Sequence, residues 1–320
     1  MPRPQRAWRL CRPLVAIALV WGSASAAVGQ PITTWLGAFG DWEVPANWSA
    51  GVPTAAHTAE IGGVVVFVNQ PGGSCAQLLV GVDQGPPDAP FVNVFPGGSL
   101  SVGGLLHVAV SRESNFLQDG SVSAGELRLG SPFSGTLYHV LPGGELIAGS
   151  VHIGSTNPAE TSNLLADGRV TITGSLFIEF GSGITVPGAT FRVGTVPSDD
   201  VIVNGVFQYL GLGGAADVAL TRFTMSPTGS LWTQITPLGI SAIVVTGPAV
   251  LDGTLFINDA GAANGTYELL RANPLSGTFA GSQAPPDWSW RIEGNSLLLQ
   301  KGSTPVEETS WSELKERYRP

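Results

Sequence analysis

The sequence predicts an all-β chain: a single-stranded, right-handed parallel β-helix of ~24-residue coils, closed by an N-terminal and a C-terminal cap. Three observations predict it. The 320 residues include 43 glycines and 24 prolines, only 12% are charged, and 43% are apolar. Few charges, many turn formers and abundant Val, Leu, Thr and Ser suit short strands joined by frequent turns. Second, turn glycines recur at Gly98, Gly120, Gly144, Gly168, Gly205, Gly229 and Gly253, in steps of 22, 24, 24, 37, 24 and 24 residues. Third, the residues that follow each glycine alternate between apolar and other types.

The alternation is read in columns. Two residues after each glycine stand Leu100, Val122, Leu146, Val170, Phe207, Leu231 and Leu255. Four residues after stand Val102, Ala124, Ala148, Ile172, Tyr209, Thr233 and Ile257. Between them lie Ser101, Ser123, Ile147, Thr171, Gln208, Trp232 and Phe256. A period of two marks strands with one buried face, so the outer two columns are predicted to point inward and the middle one outward. A second strand per coil follows, with Leu127 and Leu129, Val151 and Ile153, and Leu176 and Ile178 inward. Stacking at ~4.8 Å turns each column into a ladder of like side chains. Each buried Leu or Val then stabilises by roughly 1.5–3 kcal/mol. Right-handed coiling follows from the preference of parallel crossovers. The 37-residue step reads as one unit carrying a loop of about 13 residues within 181–204. The turn glycines read as corners that need positive φ. An antiparallel sandwich would alternate too, but it accounts poorly for the constant spacing.

From the N-terminus, Arg3, Arg6, Arg9 and Arg12 precede the apolar run 13–21 and the small residues Ala24 to Ala26. That is the layout of a secretory signal peptide over residues 1–26. The run is too short to span a bilayer easily, and no later segment is apolar enough to do so. Cleavage removes four arginines and no acid, leaving 11 basic against 24 acidic residues. Such a balance excludes nucleic acid as a partner, because phosphate binding needs clustered Lys and Arg. Cys75 is then the one cysteine, so no internal disulfide is expected, and it reads as a small buried apolar residue.

Residues 27–57 read as a tryptophan-rich cap, with Trp35, Trp42 and Trp48; residues 58–264 as the coils; and 265–302 as a C-terminal β cap with Trp288 and Trp290. The first and last coils of a solenoid expose strand edges and an open core that need covering. These tryptophans are read as end plugs, with sugar stacking as the alternative. Residues 303–320 read as a linker and a short amphipathic helix that Thr309 or Ser310 can cap, with Glu313 three residues after Ser310 as in a capping box and Trp311, Leu314 and Tyr318 on one face.

The flanks carry a resemblance. Residues 34–53, "TWLGAFGDWEVPANWSAGVP", and 265–302, with G-x-Y-x-L-L, S-G-T-F, W-x-W-x-I and N-x-L-x-L, resemble the two ends of autotransporter-like, passenger-type, Gly-rich β-helix proteins of bacteria. The resemblance implies fold and export more than activity. It implies a secreted or cell-surface protein of a Gram-negative bacterium. The chain departs from true autotransporters in showing no series of alternating strands after 302 for a translocator barrel. The tail resembles a recurring ending, [ST]-W-x-x-[LIV]-K-x-x-[YF]-R, of secreted proteins; a sorting or docking signal is one reading of it, and a helix packed on the last coil another.

Chemistry is sparse. Glycosidic cleavage needs two carboxylates facing each other. The candidates are Asp199 and Asp200 near Arg192, and Asp83 and Asp88 in a Pro-rich loop; all read better as solvated loop acids. His57, His107, His139 and His152 are scattered, although His107 and His152 share an outward column with Arg128 in this register. A zinc site wants three or four convergent ligands. No cofactor or metal is expected. One group could bind a ligand: Trp232 and Phe256 share the outward column on neighbouring coils, with Gln208 one coil before. Either they stack on a glycan, or the C-terminal cap folds back over them. Two functional classes follow. One is a non-enzymatic structural or adhesion-type β-helix, with an extracellular polysaccharide or the cell envelope as partner. The other is a carbohydrate-active enzyme or glycan-binding module on the same fold.

Overall fold

The computed structural model describes residues 30–302, apart from 84–88, 132–134, 155–160, 180, 187–189, 197 and 211–216. The signal-peptide segment, Asp88 and the tail 303–320 lie outside the described residues.

The chain winds as a parallel β-solenoid of about nine turns. Each full turn adds a strand to three stacked faces. Face 1 is an 11-stranded parallel sheet that runs from Phe39–Asp41 to Gly281–Gln283. Faces 2 and 3 are the two halves of a 19-stranded sheet. In the middle coils one bent strand serves both halves: Ser99–Val108, Ser121–Leu129 and Glu145–Ile153. In later coils it splits in two, as in Arg169–Ile172 and Leu176–Ile178. Among the described residues the one helical element is the 3-10 turn Pro45–Asn47.

Both inward columns are buried in every coil, Tyr209 and Thr233 included. The second-strand residues Leu127, Leu129, Val151, Ile153, Leu176 and Ile178 are buried as well. Like side chains do stack in register: on face 1, Phe116 lies flat on Tyr138, with centroids 4.6 Å apart and planes at 3°. The Tyr138 hydroxyl donates to Gln118 Oε1 at 2.8 Å. Gln118 Nε2 in turn donates to two backbone carbonyls, so this polar pair is satisfied inside the core.

Two expectations need correction. First, 181–204 is no inserted loop. Gly183–Val186, Thr190–Val193 and Val201–Val203 lay one strand on faces 1, 2 and 3 in turn. Val170 is followed in its ladder by Phe191, 21 residues on, while Phe207 lies on face 1 next to Ile184. The 37-residue step is thus a change of corner. Gly98 to Gly168 precede face 2, and Gly205 to Gly253 precede face 1.

Second, the corner glycines do not serve positive φ; of the seven, only Gly253 has it, at 65°. They allow close approach of stacked backbones. A Cβ on Gly168 would meet Leu141 O at 2.2 Å and Gly144 O at 2.5 Å. On Gly205 it would meet the carbonyls of Glu179 and Ser182, both at 2.2 Å. Because both kinds of corner face this same demand, glycine alone cannot tell one from the other.

The parallel ladder reaches further than 58–264. Ile32–Thr34 pairs with Thr58–Glu60, so part of the N-terminal flank is the first coil. At the other end Gly265–Arg271, Leu275–Gly277 and Gly281–Gln283 still run parallel to the coil before. Only Trp288–Glu293 and Ser296–Lys301 turn antiparallel and cover the last strand of face 2. Four of the end tryptophans are core, and Trp290 is half-buried against Phe279. Trp48 meets Trp35 and Trp42 edge-on, at 4.9 and 4.8 Å, and all three are buried. Trp288 is buried beside Tyr267, and its Nε1 donates to Asp259 Oδ2 at 3.2 Å. Lys301 clasps the same carboxylate at 2.5 Å.

Gly168→Ala is expected to destabilise by about 1–3 kcal/mol, through overpacking against two carbonyls. Gly103→Ala, where the nearest atom to a new Cβ is 3.9 Å away, should stay within about 0.5 kcal/mol. Chemical denaturation of the two variants checks the contrast. The ion pair with Lys301, before its other hydrogen bonds, pulls the Asp259 carboxyl down to about 2. A depressed carboxyl stabilises the fold above its unfolded pKa of about 3.9 and loses that contribution as pH falls toward 2. The melting-temperature gap between the wild type and Asp259→Asn should therefore be open at pH 6 and close on acidification. A gap independent of pH would contradict the clasp.

Candidate functional site

On face 1 the outward column carries two stacked aromatic rings. The register runs Thr185, Gln208, Trp232, Phe256 and Gln283 across successive coils. Parallel, in-register pairing sets the two rings one strand spacing apart. They close to a stack with centroids 4.1 Å apart and planes at 14°. Trp232 is 39% exposed and Phe256 half-buried. The C-terminal segment does not fold over them: its strand Gly281–Gln283 extends face 1 sideways and places Gln283 beside Phe256. The two rings and Gln208 are thus brought together as the sequence suggested.

Polar groups frame this plate. Gln208 Oε1 accepts from Thr185 Oγ1 at 3.1 Å, which orients the amide. Ser230 and Thr254 pair on one side along the strands, and Gln234 and Asn258 on the other. A flat apolar surface with amide and hydroxyl edges matches the apolar face and hydroxyl rim of a sugar ring. Gln283 was not foreseen, since it follows Phe256 by 27 residues, outside the regular step.

The acids are engaged elsewhere. Asp199 Oδ2 accepts from the backbone N–H groups of Thr195 and Val196, at 2.7 and 3.0 Å, and these bonds hold its carboxyl below the ordinary range. Asp200 pairs with Arg222 at 3.0 Å. Asp83 pairs with Arg112 at 2.8 Å. His107, Arg128 and His152 do share one outward column on face 3. Each of the three has its own partner: Gly130 O for His107, Glu126 for Arg128 and Glu179 for His152. His139 lies on face 1, 2.6 Å from Asp167, and His57 sits against Thr54. Among the described residues no three His, Cys, Asp or Glu side chains gather as metal ligands. Burial pushes the Cys75 thiol up to about 12, so it carries no thiolate at neutral pH.

No family model, curated protein or solved structure matches this chain. Its site is therefore read from geometry alone. No helix among the described residues is long and apolar enough to cross a membrane.

Directly behind the plate, Thr233 points inward between Tyr209 and Ile257, and its buried Oγ1 has no hydrogen-bond partner. A buried unpaired hydroxyl costs about 1–3 kcal/mol. Thr233→Val keeps the shape and removes the hydroxyl, so it should stabilise by about 1 kcal/mol. Thermal unfolding reads this, and a lowered melting temperature would show that the hydroxyl is satisfied.

Proposed function

We propose that this protein is an exported, non-enzymatic β-helix of the cell surface or extracellular medium, adhesive toward glycans. The observation that carries the reading is the Trp232–Phe256 stack, held open to solvent on a flat face with amides and hydroxyls around it. The signal-peptide pattern of residues 1–26 and the passenger-like flanks support export from a Gram-negative cell. The tail 304–320, with its [ST]-W-x-x-[LIV]-K-x-x-[YF]-R pattern, fits a sorting or docking signal in the same scheme. What supports adhesion over carbohydrate cleavage is the state of the acids: Asp199 ties a turn, and Asp200 is ion-paired. A long face with one aromatic plate is suited to holding a polymer, not to cutting it.

The purified 27–320 chain, screened against a polysaccharide panel, should bind a neutral glycan without releasing reducing ends. Trp232→Ala should weaken that binding about tenfold, the scale of one lost aromatic stack. Depolymerisation that disappears in Asp199→Asn or Asp200→Asn would overturn the reading in favour of an enzyme.

A further inference from the structure

Face 2 carries a different surface. Its outward positions form two adjacent columns. One runs Ser99, Ser121, Glu145, Arg169; the other runs Ser74, Ser101, Ser123, Ile147, Thr171, Arg192. Three open cavities line up along these columns and share Glu145. A 250 Å³ hollow lies over the serines. Hollows of 370 and 470 Å³ lie around Arg169, the first reaching Arg192 and both touching Thr190. The result is a trough along the solenoid axis, hydroxyl-lined at one end and charged at the other, where Arg169 and Arg192 stand with Glu145 and Asp167. Six strands contribute, so it spans about 24 Å.

The two arginines stand out in a chain with 15 Lys and Arg against 24 acids. They sit on neighbouring strands, and both are exposed. Arg169 is held only loosely by Glu145: the pair is 3.6 Å apart, against 2.8 Å for Arg112–Asp83, and its side chain is 64% exposed. A guanidinium in that state can present its fork to a second carboxylate. Serine and threonine hydroxyls are suited to the hydroxyls of a neutral sugar stretch.

We propose that the face 2 trough binds an extended acidic polysaccharide lying along the axis, with a sugar carboxylate on Arg169 and Arg192 and the adjoining sugars over the serines. This site is independent of the aromatic plate on face 1. Calorimetry of the purified protein with a hexauronate, at low and moderate salt, tests it. Binding should weaken as salt rises. Arg169→Gln and Arg192→Gln should each weaken it about tenfold, the scale of a charge-assisted hydrogen bond. Glu145→Gln should tighten it, because it frees Arg169 from a competing carboxylate. Trp232→Ala should leave it unchanged. The proposal falls if the hexauronate does not bind, if a neutral hexasaccharide or acetate alone binds as well, or if the folded Arg169→Gln and Arg192→Gln proteins bind like the wild type. Loss of hexauronate binding in Trp232→Ala would move the acidic ligand to face 1 and also overturn it.

Discussion

Every coil of this solenoid must bring its backbone to within about 4.8 Å of the next, on three faces and around three corners. On the faces this distance is set by the strand ladder itself. At the corners the hydrogen bonds run through the glycine carbonyls, as from Ser121 N–H to Gly98 O, Glu145 N–H to Gly120 O and Arg169 N–H to Gly144 O, and stacked backbones come into direct contact. There a single methyl group is too much. On all seven corner glycines that mark the repeat, a Cβ would lie within 2.5 Å of a carbonyl oxygen of another turn. At these seven positions glycine answers this contact, while others such as Gly51, Gly72 and Gly97 have open space around them and serve a positive φ.

The same spacing organises the side chains. Inward columns become ladders of Leu, Val, Ile and Phe, so the hydrophobic driving force repeats coil by coil and needs no disulfide. Core polarity closes on itself at some positions and not at others. Gln118 and Tyr138 satisfy one another and two backbone carbonyls, whereas Thr233 does not. At the ends, where no further coil can cover the core, three tryptophans and the antiparallel pair held by Asp259, Trp288 and Lys301 take over.

Outward columns are under no such demand, and this is where binding chemistry can vary. In-register stacking sets neighbouring outward side chains one strand apart, close enough for Trp232 and Phe256 to stack face to face. On face 2 the same spacing sets two arginines on adjacent strands above a run of hydroxyls. The two surfaces differ in kind, one an aromatic plate on a flat face, the other a trough of hydroxyls and mixed charges.

The fold was legible in the sequence because burial has a period. Alternation of two within a strand and a step near 24 between strands identified the inward residues of the strands that follow the seven glycines, even Tyr209 and Thr233, but not those of the remaining faces, such as Phe116, Tyr138 and Phe191. The stacking of Trp232 on Phe256 was legible for the same reason, both lying in one register. What the sequence could not decide was which corner a glycine occupies. Gly168 and Gly205 answer the same steric demand, so a change of face looked like an insertion. Nor could it decide whether the last segment covers the aromatic pair or continues beside it. That depends on where Gly281–Gln283 pairs, a contact outside the regular step. The closeness of Arg169 and Arg192, which stand in adjacent columns with Arg192 opposite Thr171, was hidden too. They belong to strands 21 residues apart, and only tertiary stacking makes them neighbours.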